Sequence, residues 1–262
     1  MPEKTETPKD RALKPKGERT KPEDYQRLRE TLEDLEAADF ERVSAYGKDL
    51  LSGLKIVRTF PQGVTVFGSA RLTENNKYYK EARKLGELLA QNGHAVITGG
   101  DPGIMEAANR GAYEYGGRSI GLNITLSHEQ HPNPYLTDML QFEYFFARKV
   151  MLAMSAKCYV FFPGGFGTMD EFTEVLILMQ EKKMPVMPMF LFGKSFWRPL
   201  DRFYATKMTS LKTIKPDDRK IYKLTDNVEE IVKAANKIGH PKVKSNYYDG
   251  FSSAHTYEHS KI

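Results

Sequence analysis

The chain is poor in cysteine, in long apolar runs and in charge of one sign. One cysteine among 262 residues cannot close an internal disulfide, which excludes a disulfide-stapled extracellular scaffold, and the chain reads as cytoplasmic. Its longest apolar stretches, Cys158 to Phe162 and Met184 to Phe192, fall far short of the roughly 20 residues that span a bilayer, so no membrane partner is expected. Met1 to Glu30 alternates charges with no apolar segment of the signal-peptide kind. Thirty-nine Lys plus Arg against 34 Asp plus Glu leave a net charge of +5. That excess is too small and too interspersed to announce a nucleic-acid groove, whereas an anionic small molecule is easily accommodated.

The remainder is ordinary globular composition: 40% apolar, 11% aromatic and 28% charged residues. The length suits one large domain, or one domain with appendages. The first thirty residues carry nine basic and seven acidic side chains and four prolines, too little apolar surface to offset chain entropy, so residues 1–21 are expected to form a disordered charged tail. From Pro22, Tyr25, Leu28, Leu32, Leu35 and Phe40 recur at helical intervals, which gives a helical extension over 22–60. Residues 240–262 form a polar, tyrosine-containing carboxyl-terminal tail.

Between these ends the periodicity switches repeatedly. Short β-branched and aromatic runs at Val64–Phe67, His94–Ile97, Ser119–Ile124, Gln141–Tyr144, Cys158–Phe162 and Pro185–Phe192 read as strands. Tyr78–Gln91, Ile104–Tyr115, Ala147–Ala156, Met169–Glu181, Phe196–Met208 and Val228–Ile238 read as helices. Strands that lack polar alternation are covered on both faces, and β-then-α order favours a parallel sheet with right-handed crossovers. The expected fold is α/β, a Rossmann-like, doubly wound, mainly parallel sheet over residues 61–239.

In such a sheet, ligands bind beyond the carboxyl ends of the strands. Three loops there are rich in small residues: Gly68-Ser69-Ala70-Arg71, Thr98-Gly99-Gly100-Asp101-Pro102-Gly103, and Pro163-Gly164-Gly165-Phe166-Gly167-Thr168-Met169-Asp170-Glu171. Glycine exposes main-chain N–H groups and removes the Cβ atoms that would block a phosphate at a helix start. Neither longer loop is the dinucleotide fingerprint or a Walker A sequence, which disfavours the familiar NAD and ATP machinery. Glu171, just past the third loop, reads either as a carboxylate within reach of a ligand gripped there or as a first-turn glutamate that satisfies the helix dipole. Arg148 can bind phosphate or base in bidentate fashion and Lys149 can act as a point charge. Glu106 reads as a partner of the helix dipole ahead of a second site carboxylate. Cys158, in an apolar strand, reads as a buried small hydrophobe. The histidines form no ligand cluster, so no metal is expected, and nothing marks the Schiff-base lysine site that pyridoxal chemistry needs, so no cofactor is expected.

The run Pro163 to Glu171 resembles the PGGxGTxxE motif of the LOG family, the cytokinin-activating phosphoribohydrolases once described as lysine decarboxylases. Thr98 to Ala112 is similar to the family's upstream glycine-rich motif, and Arg148-Lys149 stands where its Arg-Lys pair stands. The resemblance covers roughly Pro61 to Phe203. It implies hydrolysis of a purine nucleoside 5′-monophosphate to free base and ribose 5-phosphate, on a homodimeric or larger assembly. It also implies Arg148 and Glu171 as the catalytic pair: breaking an N-glycosidic bond builds positive charge on the ribose, and Glu171 can stabilise that cation, orient the ribose hydroxyls or activate water. Nucleotide binding would fall to Glu129, Lys149 and the loop Gly164, Gly165, Phe166, Gly167 and Thr168, joined by Gly68, Ser69, Gly99 and Gly100. Two positions depart from the family pattern: Asp101 replaces a third glycine, which puts a negative charge beside the anion site, and Ile177 replaces a threonine.

Overall fold

Residues 22–60, 63–125 and 131–238 are described in the computed structural model, with side chains from residue 34 onward. The two terminal tails expected from composition lie outside these residues. The chain divides into two compact units, Met1–Gly47 and Lys48–Ile262. One long helix, α1 (Pro22–Thr59), runs through the boundary. In the first unit its residues Leu35, Phe40 and Val43 are exposed.

The second unit is built on seven strands: β1 (Gly63–Phe67), β2 (Ala95–Thr98), β3 (Ser119–Ile124), β4 (Asp138–Phe142), β5 (Cys158–Phe161), β6 (Met189–Phe192) and β7 (Lys223–Thr225). They form one sheet in the order β4-β3-β2-β1-β5-β6-β7, and every pairing is parallel. This is the doubly wound α/β architecture the strand-helix alternation implies. Six helices follow strands: α2 (Lys77–Gln91), α3 (Ile104–Glu114), α4 (Phe145–Met154), α5 (Phe166–Gln180), α6 (Lys194–Phe203) and α7 (Val228–Lys237). Among the described residues no helix is long and apolar enough to cross a membrane.

Each face of the sheet buries its own core. Val64, Val66, Val96, Val160 and Phe162 pack with Leu85, Leu89, Ile104 and Ile231 on one side. Phe67, Ile97, Leu122 and Phe161 pack with Val57, Met151, Phe172 and Trp197 on the other. Strand alternation sorts successive residues between the two faces. Helix α2 buries Tyr79, Ala82, Leu85, Gly86 and Leu89, a stripe of helical period, and its start is capped by Asn76, whose side chain accepts from Tyr78 N. Helices α2 and α3 lie close because a Cβ on Gly86 would stand 2.0 Å from the Ala108 carbonyl oxygen. On the opposite face, Gly53 of α1 leaves room for Met151 of α4. Asp49 Oδ2 accepts from Glu143 N and Tyr144 N at 2.9 and 3.1 Å and so ties α1 to the start of α4.

Several boundaries differ from the sequence reading. Strand β4 lies three residues earlier than expected, at Asp138–Phe142. Only the end of Pro185–Phe192 pairs, as Met189–Phe192, because Pro185 and Pro188 supply no N–H to a ladder. Strand β7, three residues at the sheet edge, carries too short a pattern to be read from sequence. Helices α4 and α5 begin earlier than expected, at Phe145 and Phe166.

Candidate functional site

From β1 the chain winds outward through β2, β3 and β4, then returns to the other side of β1 as β5. The loops leaving β1 and β5 therefore diverge, and such a switch point opens a crevice above the strand ends. The loops around it are stitched together by main-chain bonds. Ser69 N donates to Pro163 O (3.1 Å), and Ile104 N donates to Ser69 O (3.0 Å). Gly103 permits the second contact: its φ is +77°, and a Cβ there would stand 2.3 Å from the same Ser69 oxygen. The space Gly68 leaves is filled by Ile104, whose side chain would lie 2.5 Å from an added Cβ.

Beyond β5 the backbone opens. Helix α5 starts at Phe166 with Gly165 as its N-cap and no side-chain cap. The first intrahelical bond runs from Met169 N to Gly165 O (3.0 Å), so the N–H groups of Phe166, Gly167 and Thr168 lie ahead of the helix ladder and mark the positive end of its dipole. Nothing stands within 4 Å of an added Cβ at Gly165 or Gly167. Gly164 differs, since its hydrogen side is packed by buried Thr168, 2.1 Å from where a Cβ would be. This is an unobstructed helix N-terminus able to receive an anion.

Because α5 starts at Phe166, Glu171 lies in the second turn, one turn deeper than the sequence reading put it. It is half-buried. Burial raises its pKa to about 7; Arg148 and Lys149 pull it down, while Asp170 and Asp101 push it further up. The early start of α4 likewise moves Arg148 and Lys149 off the first helical positions. Arg148 is held by specific partners: it is 7% exposed, its Nε donates to Leu122 O at 2.8 Å, and its Nη2 lies 3.5 Å from Asp101 Oδ2. Gly99 makes that pose possible, since a Cβ there would stand 2.1 Å from Nη2. Lys149 reaches across to α5, with Nζ 3.0 Å from Asp170 and 3.2 Å from Glu174. Those hydrogen bonds outweigh the cost of burial and raise its pKa.

Five polar residues that the sequence reading did not single out complete the setting. Gly100 turns at φ +76° and its N–H donates to Thr98 Oγ1 at 2.8 Å. Thr98 Oγ1 in turn donates to Asn109 Oδ1 at 2.6 Å. Asn109 Nδ2 reaches Ser119 Oγ at 2.8 Å. Asn133 Nδ2 donates to Asn109 Oδ1 (3.0 Å) and to Gly100 O (3.1 Å), and Asn123 Nδ2 donates to Asp101 Oδ1 (3.2 Å). All five are buried. A buried, bonded network of this kind fixes the loop that carries Gly99, Gly100 and Asp101. Asn109 had a sequence signal: it is a lone polar residue on an otherwise apolar buried helix face.

Glu106 accepts from Tyr79 OH at 2.7 Å; burial and this bond raise the tyrosine pKa to about 12. Cys158 is fully buried, which pushes its thiol up to about 12 and leaves it unreactive. Glu129 lies outside the described residues.

A family model described as possible lysine decarboxylase, that of the LOG family, matches residues 105–235, half of the chain. The chain belongs to this family. The LOG-family chain is 29% identical over 205 residues to the pyrimidine/purine nucleotide 5′-monophosphate nucleosidase of Escherichia coli K12, covering 72% of this chain and 43% of that enzyme. It therefore spans less than half the length of that relative. A cytokinin riboside 5′-monophosphate phosphoribohydrolase of Arabidopsis thaliana is 25% identical over 181 residues, 68% of this chain and 79% of its own. Among solved structures, the molybdenum cofactor carrier protein of Chlamydomonas reinhardtii superposes with a TM-score of 0.51 at 25% identity, covering 67% of this chain and 96% of its own. The LOG-family fold thus carries both nucleotide-hydrolysing and cofactor-carrying relatives.

Proposed function

We propose that the chain hydrolyses the N-glycosidic bond of a nucleoside 5′-monophosphate, with a purine monophosphate such as AMP or a cytokinin nucleotide as substrate, acting as a homodimer or larger homo-oligomer in the cytoplasm. One observation carries this reading: a half-buried carboxylate with a pKa near neutrality, Glu171, stands five residues past an unobstructed helix N-terminus. The N–H groups of Phe166, Gly167 and Thr168 receive the 5′-phosphate, with the dipole of α5 behind them. Holding the phosphate on the same helix that carries Glu171 brings C1′ of the ribose to the carboxylate, so the entropic cost of orientation is met by phosphate binding.

As the C1′–N bond breaks, its electron pair leaves with the base, which takes up a proton from solvent, and positive charge develops on the ribose. Water supplies the oxygen that bonds to C1′, and ionised Glu171 both faces the developing cation and accepts the water's proton. A carboxylate with a pKa of about 7 is matched to that exchange near neutral pH. Arg148, anchored on Leu122 and beside Asp101, offers its remaining N–H donors to the nucleotide. The nucleosidase and phosphoribohydrolase relatives support this reading.

The test is release of free base from a panel of purine and pyrimidine monophosphates. Turnover of at least one is expected, as is a loss of about 10²-fold or more in Glu171→Gln with its melting cooperativity kept. No base release from any member of the panel overturns the reading. A second reading, binding of a nucleotide or phosphorylated cofactor without chemistry, draws on the carrier-protein neighbour and on Asp101 already occupying part of Arg148. Ligand-dependent rises in melting temperature without product would select it.

A further inference from the structure

Asp101 is 6% exposed and Arg148 7% exposed. Two unlike charges brought that far from water must hold each other in defined geometry, or the cost of stripping their hydration goes uncompensated. The geometry is defined from both ends. Arg148 is pinned by Leu122 O through Nε at 2.8 Å and slotted against the hydrogen side of Gly99. On the acid side, Asn123 Nδ2 bonds Oδ1 at 3.2 Å, while Asn133 Nδ2 holds the carbonyls of Gly100 and Asp101 at 3.1 and 3.4 Å. Asp101 Oδ2 faces Nη2 at 3.5 Å. Neither partner can leave without breaking a buried network.

This arrangement matters for Glu171 because Arg148 is one of the cations acting on it. The charged groups acting on that carboxylate come from three elements: Arg148 and Lys149 on α4, Asp170 on α5, and Asp101 on the loop after β2; Glu174 on α5 pairs with Lys149. Lys149 is already shared between Asp170 and Glu174, which leaves Arg148 as the cation whose field at Glu171 is open to adjustment. We propose that Asp101 is a positioning residue of the site, which fixes the Arg148 guanidinium and sets how much of its charge reaches Glu171. The inference deepens the hydrolase reading and rests on it for its catalytic meaning, while its electrostatic content is measurable without turnover.

With Asp101 present, the guanidinium is partly neutralised and Glu171 keeps its proton to higher pH. Asp101→Asn retains an oxygen acceptor for Asn123 and removes the charge. The full chain and this variant are labelled with ¹³C at glutamate side-chain carboxyls, the Glu171 signal is assigned by its loss in Glu171→Gln, and both are titrated from pH 4 to 9. The midpoint of Glu171 is expected to fall by roughly half a pH unit or more in Asp101→Asn, the scale of one nearby charge at an effective dielectric of about 20. The ascending limb of kcat/KM for AMP should move down by the same amount. A purely structural role for Asp101 would lower activity at all pH values without moving either midpoint. If Asp101→Asn does not fold, Asp101→Ser keeps a smaller uncharged acceptor and is read in the same way. An unchanged Glu171 midpoint in a folded variant overturns the inference. Absence of base release by the unaltered protein overturns the hydrolase reading alone, because the carboxyl titration still decides the role of Asp101.

Discussion

Replacing Glu171 by glutamine should make the protein more stable at alkaline pH while removing its proposed activity. Burial holds the folded-state pKa at about 7 against an ordinary 4.5, so between those values the folded chain binds a proton that the unfolded chain has released. Stability then falls as pH rises through this window, with a slope of about 1.4 kcal/mol per pH unit at its steepest. Over the whole interval the loss is about 3 kcal/mol, and partial exposure of the side chain reduces it to about 2. Glutamine has the same shape and no titration, so its stability should not carry this slope. Urea unfolding of both proteins from pH 4.5 to 8.5 checks it. The curves should lie closest below pH 5 and separate by about 2 kcal/mol above pH 7, with the variant the more stable. Parallel curves would mean that Glu171 is as well solvated in the folded chain as in the unfolded one, and the reasoning that makes it a near-neutral acid-base group would fail.

Other outcomes follow from the same geometry. The kcat/KM for nucleotide hydrolysis should rise through about pH 7 as Glu171 ionises, and a flat profile between pH 6 and 8 would remove that group from the rate. Gly99→Ala drives a Cβ toward Arg148 Nη2, 2.1 Å away, so about 10²-fold should be lost from kcat as the guanidinium is displaced. In contrast, Gly167→Ala meets nothing within 4 Å; its melting temperature should stay within about 2 °C of the parent while KM rises, measured by scanning calorimetry and initial rates. Lys157 is 8% exposed, its Nζ has no hydrogen-bond partner, and burial lowers its pKa. Lys157→Met should therefore stabilise by on the order of 1 kcal/mol at pH 7, or about 2–4 °C, with the gain shrinking as pH approaches 10.5 and the unfolded lysine also loses its proton.

The parallel sheet was legible because apolar runs such as Val64–Phe67 and Cys158–Phe162 carry no polar alternation, which a strand covered on both faces requires. The start of α5 was not, since Gly165-Phe166-Gly167 has poor intrinsic helix propensity and the helix is imposed there by the packing of Thr168 and Phe172. Glycine content alone did not tell open backbone from packed backbone: nothing stands within 4 Å of an added Cβ at Gly165 or Gly167, whereas the room left by Gly68, Gly99 and Gly164 is filled by Ile104, Arg148 and Thr168. Asp101 read as an intrusion of negative charge beside an anion site; its meaning changed once Arg148, 47 positions along the numbering, turned out to face it at 3.5 Å. A pairing at that separation has no local signature and emerges only when crossovers bring the loops together.

Phe172, the residue after Glu171, stacks edge-on against Phe161, Trp197 and Tyr222 with ring centroids 5.4, 5.6 and 5.6 Å away, and Phe161 lies flat on Phe67 at 4.6 Å. Such a plinth holds the backbone under Glu171 in one place. Under the proposed function, choice among nucleobases is therefore set at the rim of the crevice and not by movement of Glu171.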